Sequence, residues 1–271
     1  MTQFIQLLIN NFQEEQKEIL IAELMMAGFE GIEEADFELK AFIQEHEFDE
    51  ILLVDIKSKY SFDFTISKIA SQNWNALWES NFEPVIVDDF VGIRASFHKH
   101  IAAVAYEIVI TPKMSFGTGH HATTYMMVQQ MCSLDFKNKT VFDFGTGTGI
   151  LAILAEKMGA ASVFAIDNDE WSIFNFEENI QTNQCNRIEF KKTEAIDQTK
   201  QYDIILANIN KNVIIDNLQA LFTIMKPDSI LLLSGLLTSD EKDICEAANK
   251  FSLQQIVMIE RNNWICLQFQ R

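Results

Sequence analysis

The sequence predicts an α/β protein: a seven-stranded, mostly parallel, doubly wound sheet whose last strand is reversed, with a small α+β domain ahead of it. Three observations carry that expectation. From Thr140 onward, apolar strand-like runs alternate with helical ones, as in a parallel sheet covered by helices on both faces. The stretch Thr140 to Asp167, TVFDFGTGTGILAILAEKMGAASVFAID, reads as strand, glycine turn, helix, and a second strand with an acid at its tip. The last two apolar runs, Leu253 to Ile259 and Trp264 to Phe269, are linked through Asn262-Asn263. That link is too short for a parallel crossover, so it makes a hairpin and puts one reversed strand at the end of the sheet.

The totals bound the possibilities. The 271 residues are 48% hydrophobic and include 22 Phe, enough core for one large domain or two. Only three prolines occur, and no low-complexity tract or internal repeat is visible. The longest apolar runs, such as Ile230 to Leu237, are too short for a bilayer, and the first residues lack the basic region of a secretory signal. Cys132, Cys185, Cys245 and Cys266 have neither zinc-ligand nor redox spacing and are expected to be buried free thiols in a reducing compartment. A soluble, cytoplasmic, monomeric protein without membrane association is expected. The formal charge of −18 argues against direct nucleic-acid binding, which needs Lys and Arg against phosphates. Residues 1–70 hold 15 acids and 5 Lys, a net of −10, so over half the excess lies in the first quarter. That is either a solvated surface or a lure for a basic partner.

In chain order, Phe4 to Ile9 is strand-like, and Glu14 to Met26 has helical spacing stopped at Gly28. Gly31 to Glu34 is a short segment, Phe37 to Ile43 alternates, Asp49 to Lys57 is read as a short helix in preference to a strand, and Phe62 to Ile69 alternates again. This order suggests a ferredoxin-like sandwich over residues 1–68. Residues 69–82 are a linker helix in which Trp74 and Trp78 share a face, and residues 83–271 form the larger domain. That domain opens with short β segments around Val85 to Val87, Val91 to Phe97 and Ala105 to Ile110, ended by Pro112. Further strands are expected near residues 140–144, 161–167, 187–191, 202–207, 228–234 and 254–261.

Ligands of open parallel sheets bind outside the carboxyl ends of the strands. There, Gly145, Gly147 and Gly149 let backbone approach a ligand, the next helix offers free N–H groups, and Asp167, twenty residues past Gly147, suits ribose hydroxyls. The G-x-G-x-G spacing points away from a dinucleotide. A second constellation, PKMSFGTGHHATT (Pro112 to Thr124), precedes a helix at Tyr125 to Cys132 and contains Phe116, Gly117 and Thr118 as further loop candidates. Its adjacent His120 and His121 point different ways, so no metal is expected. Thr123 or Thr124 can open the helix, and a threonine hydroxyl can also touch ligand. The third is LANIN, Leu206 to Asn210, where Asn208 offers an acceptor and two donors at the same sheet edge. It either holds an amine nucleophile or caps the helix at Lys211 to Leu221.

These motifs, in this order, resemble the seven-stranded S-adenosylmethionine-dependent methyltransferases. More narrowly, they resemble the bacterial family that methylates the eleventh protein of the large ribosomal subunit. The family pattern F-G-T-G-x-H-x-T-T, D-x-G-x-G-x-G, I-D and A-N-I stands here at Phe116 to Thr124, Asp143 to Gly149, Ile166-Asp167 and Ala207 to Ile209. The Trp74/Trp78 linker with NFEPV and the later Ser234-Gly235-Leu236-Leu237 also fit. The N-terminal domain matches in size and layout more than in residues. Two neighbours of these motifs, beside the methyl-acceptor region, differ from the family: Ala122 stands where it often has Pro or Glu, and Asn210 where it often has Leu.

The resemblance implies S-adenosylmethionine as cofactor, contacted by Thr124, Gly145, Asp167 and Asn208. It implies methylation of lysine side chains and the N-terminal amine of a basic ribosomal protein. Asn208 and the Phe116–Thr124 loop are then expected to position the neutral amine. The acidic N-terminal domain would read the Lys-rich substrate. Other classes stay open: a methyltransferase of nucleic-acid bases or glutamine amides, a non-catalytic nucleoside-binding regulator, and, third, an NAD-dependent oxidoreductase.

Overall fold

The computed structural model describes residues 4–13, 16–29, 31–35, 38–69, 83–111 and 121–271. The chain divides into two compact units, Met1–Asn81 and Phe82–Arg271. The Trp74/Trp78 linker lies outside the described residues.

In the first unit the order is β1 (Phe4–Asn10), α1 (Lys17–Met26), β2 (Gly31–Ala35), β3 (Glu38–Gln44), α2 (Glu50–Lys59) and β4 (Asp63–Ile69). The strands form an antiparallel sheet in the order β2-β3-β1-β4. Strict alternation in β1 and β3 sends Ile5, Leu7, Ile9, Leu39, Ala41 and Ile43 into one core with Leu20, Leu24, Leu53 and Ile56 of the helices. Asp49 caps α2, accepting from Ile51 N at 2.8 Å, which favours a helix over a strand for this segment.

The second unit opens with β5 (Val85–Val87), β6 (Val91–Ala95) and β7 (Tyr106–Ile110), a three-stranded sheet in that order. Then come α3 (Ala122–Met131), β8 (Thr140–Phe144), α4 (Ile150–Lys157), β9 (Ser162–Asp167), α5 (Glu170–Thr182), β10 (Ile188–Lys192), β11 (Tyr202–Asn208), α6 (Lys211–Thr223), β12 (Met225–Leu237), α7 (Glu241–Asn249), β13 (Gln254–Arg261) and β14 (Trp264–Gln270). The sheet order is β10-β9-β8-β11-β12-β14-β13. β8, β9 and β11 are buried almost continuously, as strands covered on both faces must be. Phe142, Phe144, Phe164, Tyr202 and Ile205 share one core with Ile214, Leu218 and Leu221 of α6 and Ile244 of α7. α3 buries Met126, Met127, Val128 and Met131.

Two expectations need correction. The reversed strand, β14, is not at the end of the sheet: it is inserted between β12 and β13, antiparallel to both. The Asn262-Asn263 hairpin, with φ of 52° and 65°, pairs β13 with β14, but β14 also claims the open edge of β12. The thiols are all free, but only Cys266 is buried. Cys132 is exposed because it sits past the last buried turn of α3, and Cys185 and Cys245 are half-buried.

Side chains close the free edge of β7. Asn183 accepts from Val109 N at 3.0 Å and donates to Val109 O at 2.6 Å, replacing a neighbouring strand. Asn179, one turn earlier on α5, accepts from Thr111 N at 2.8 Å and donates to Thr148 O at 2.8 Å. Asn179 thus ties Thr111, just past β7, to the glycine turn, and both asparagines are buried.

Candidate active site

The carboxyl ends of β8, β9 and β11 converge on one edge of the sheet. β8 ends in a turn whose three glycines, 145, 147 and 149, have φ of 71°, 55° and 82°, conformations that a side chain would strain. The turn is bolted to β9: Gly145 N and Thr146 N donate to Ile166 O at 2.9 and 3.0 Å. Asp167 accepts from Gly147 N at 2.8 Å through one oxygen and from Asp169 N at 3.0 Å through the other. A carboxylate has about four lone-pair sites, so acceptor capacity remains for ribose hydroxyls. Gly149 starts α4 with no side-chain cap; the Ala152 N–H is turned to Asp143, which leaves those of Ile150 and Leu151 to face an anionic group.

Not all of the glycine requirement concerns a ligand. A Cβ on Gly145 would lie 2.3 Å from Ile209 Cγ2, and one on Gly149 would lie 2.7 Å from Phe176. These two glycines are small so that other parts of the chain can pack on the turn.

Asn208, the last residue of β11, donates through Nδ2 to Thr124 Oγ1 at 3.2 Å. Thr124 is buried in the first turn of α3. The helix starts at Ala122, earlier than the expected Tyr125, and its cap is neither threonine: His121 Nδ1 accepts from Thr123 N and lies 2.8 Å from Thr123 Oγ1. Asn208 does not cap α6. Asn210 does, accepting from Val213 N at 3.1 Å, which gives that departure from the family pattern a local role. The structure therefore brings together Thr124, Gly145, Gly147, Asp167 and Asn208. Phe116, Gly117 and Thr118 lie outside the described residues.

Two features were not read as site residues in the sequence. Asp143 lies under the glycine turn, buried, accepting from Thr146 Oγ1 at 2.6 Å. Burial raises its pKa to about 7; the Thr146 hydrogen bond opposes that shift and the charge of Asp167 adds to it. An acid inside an otherwise apolar strand, TVFDF, is the signal that could have marked it. At the rim, the Trp264 ring meets His121 edge-on at 4.7 Å. Nothing local links these two residues, which come together because β14 runs beside β12. Among the described residues no group of His, Cys, Asp and Glu could hold a metal ion, and no helix is long and apolar enough to cross a membrane.

Comparison with known proteins decides the family. The model described as ribosomal protein L11 methyltransferase (PrmA) matches residues 7–271. The chain belongs to the ribosomal protein L11 methyltransferase family. Relatives of that name include one from Phocaeicola vulgatus, 36% identical over 89% of each chain, and one from Chlorobaculum tepidum, 36% identical over 92% of this chain and 90% of that one. Among solved structures, a ribosomal protein L11 methylase from Lactobacillus delbrueckii subsp. bulgaricus has a TM-score of 0.66 at 28% identity, covering 70% of this chain and 99% of that one. A precorrin-6y C5,15-methyltransferase from Geobacter metallireducens, with a TM-score of 0.50 at 11% identity over 56% of this chain and 89% of that one, shares the fold alone. Family membership thus agrees with the α/β fold and mixed sheet described above.

Proposed function

We propose that this chain is an S-adenosylmethionine-dependent methyltransferase whose substrate is ribosomal protein L11, methylated at lysine side chains and at its N-terminal amine. The observation that carries the reading is the Asn208–Thr124 hydrogen bond at the sheet edge where the glycine turn meets Asp167. The residues fit the cofactor: the Ile150 and Leu151 N–H groups at the start of α4 for its carboxylate, lone pairs on Asp167 for its ribose hydroxyls, and the Gly145–Gly149 turn for close approach. When bound, S-adenosylmethionine supplies a methyl group already activated on a sulfonium.

The protein then has little covalent chemistry to perform. Its tasks are to align the amine, exclude water and receive an amine with its lone pair free. With one Nδ2 hydrogen committed to Thr124, Asn208 has, among the described residues, Oδ1 and a second hydrogen for ligand contacts. Oδ1 accepts an N–H of the incoming amine and so turns its lone pair toward the methyl. A substrate ammonium gives up its proton to solvent water before this contact, a loss favoured by desolvation at the half-buried edge.

The remaining assignments belong to the same reading. Residues 1–68 form a ferredoxin-like substrate reader, a view supported by the strand order β2-β3-β1-β4 with two helices. Their acidity complements a Lys-rich protein. Residues 69–82 link the reader to the methyltransferase domain, 83–271, and a ribosomal-protein substrate favours the cytoplasm.

Asn208→Ala tests the mechanism. Turnover at saturating cofactor should fall about a hundredfold, the scale of a misplaced reactant, in protein that melts as the wild type does. Near-normal turnover would remove Asn208 from the mechanism.

A further inference from the structure

We propose that Gly235 is a positioning residue for Asn208: its left-handed backbone and missing side chain seat the Ile209 peptide, and through it fix where the Asn208 amide points. The proposal rests on the role given to Asn208 above. It also gives a purpose to Ser234-Gly235, a motif that the cofactor site leaves unexplained.

The geometry is built by a bulge. β11 and β12 run parallel with Asn208 opposite Ser234, and Ile209 N donates to Ser234 O at 3.1 Å. On its other edge, β12 then loses register with β14. Leu233 opposes Leu267 and Leu236 opposes Ile265, so Ser234 and Gly235 together face the single residue Cys266. Ser234 is fully buried, and its Oγ donates to Ile265 O at 2.8 Å, which fixes the bulge from the β14 side.

Gly235 has φ of 83°. A Cβ there would lie 2.3 Å from Ile209 O, 2.7 Å from Ile209 C and 2.9 Å from Ile209 N. All three are backbone atoms and have no rotamer to escape into. Relief would need a shift of about 1 Å to reach van der Waals separation. On its other side, Ile209 packs its Cγ2 where Gly145 lacks a Cβ. Ile209 is therefore held between two glycines, one set by its side chain and one by its main chain. The peptide unit joining Asn208 to Ile209 is planar and stiff, so displacement of Ile209 is passed to Asn208 and its 3.2 Å bond to Thr124.

The test compares wild type, Gly235→Ala, Gly159→Ala, Asn208→Ala and the Asn208→Ala/Gly235→Ala double variant. Melting temperature is measured with kcat and KM for ribosomal protein L11. Gly159 is the matched control: its φ is 98°, but a Cβ would meet nothing nearer than 3.6 Å, so its alanine variant carries the backbone strain without the collision. Both glycine variants should melt lower, but only Gly235→Ala should lose kcat, by about tenfold or more per folded molecule, with KM changing less. The double variant should be no slower than Asn208→Ala, because the glycine acts through that asparagine. If Gly235→Ala turns over like Gly159→Ala, or the two losses multiply in the double variant, the proposal is overturned. If Asn208→Ala itself turns over normally, the role of Asn208 falls and this proposal falls with it. Should Gly235→Ala not fold, Ser234→Ala removes only the side-chain bond that fixes the bulge. It should cost about threefold or more in kcat alone and nothing further on top of Asn208→Ala; an unchanged kcat overturns the proposal.

Discussion

Replacing Asp143 with Asn should abolish a pH dependence of stability that burial builds into β8. In the folded protein the Asp143 carboxyl is raised from 3.8 to about 7, chiefly by burial. A raised folded pKa means that the group's stabilising contribution is fully present below 3.8 and is lost as pH rises through about 7. Between those values the unfolded chain releases the proton and the folded chain keeps it, so stability falls by roughly 1.4 kcal/mol per pH unit. Over the whole window the loss is about 4 kcal/mol. Asn is nearly isosteric, stays neutral and can still accept from Thr146. The assay is urea unfolding of both proteins without ligand from pH 4 to 8.5, read as the difference between them, in which the other carboxylates cancel. Asp143→Asn should gain on the wild type across pH 4–7, and the gain should level off above that. A difference that is flat with pH would refute the claim that Asp143 enters the fold as a neutral acid.

Other outcomes follow from the same geometry. Thr124→Val removes the acceptor of the Asn208 amide, and turnover should drop about tenfold, a loss on the scale of one hydrogen bond; steady-state kinetics with ribosomal protein L11 decide it. Asp203 accepts at one oxygen from Lys226 Nζ and from Thr140 N and Oγ1, each at 2.8 Å. Burial works against these bonds, yet they hold its carboxyl down at about 2. Asp203→Asn should therefore lose about 1–2 kcal/mol at neutral pH, discounted for partial exposure. That deficit should shrink as pH falls from about 4 toward 2, because a lowered pKa contributes only above the unfolded value; urea midpoints at pH 7 and pH 3 measure it. A chain beginning at Ser71 should keep cofactor binding by calorimetry but lose methylation of the protein substrate, and undiminished methylation would remove the N-terminal unit from substrate recognition.

Much of the site was legible because its determinants are local. β8, the glycine turn, α4 and β9 are contiguous, and a strand buried on both faces shows as an unbroken apolar run. The pairing of Gly147 with Asp167 needs only that the two strands be neighbours. What stayed hidden depends on distant partners. The hairpin at Asn262-Asn263 reveals that β13 and β14 are antiparallel, but not that β14 takes the edge of β12 and leaves β13 outside. Gly145 reads as a ligand glycine, yet its missing side chain makes room for Ile209. Thr123 and Thr124 have the chemistry of a helix cap, but His121 takes that position and frees Thr124 for Asn208. Asn179 and Asn183 look like ordinary polar residues in and just after a helix until β7 is placed beside them.

The central claim is tested most directly by incubating the purified protein with isotopically labelled S-adenosylmethionine and the proteins of the large ribosomal subunit, then measuring the mass of each protein. Label should appear on ribosomal protein L11 in whole methyl increments, mapping to lysine side chains and the N-terminal amine, and should be lost with Asn208→Ala. Label on ribosomal RNA or on another ribosomal protein, with none on L11, would contradict the account.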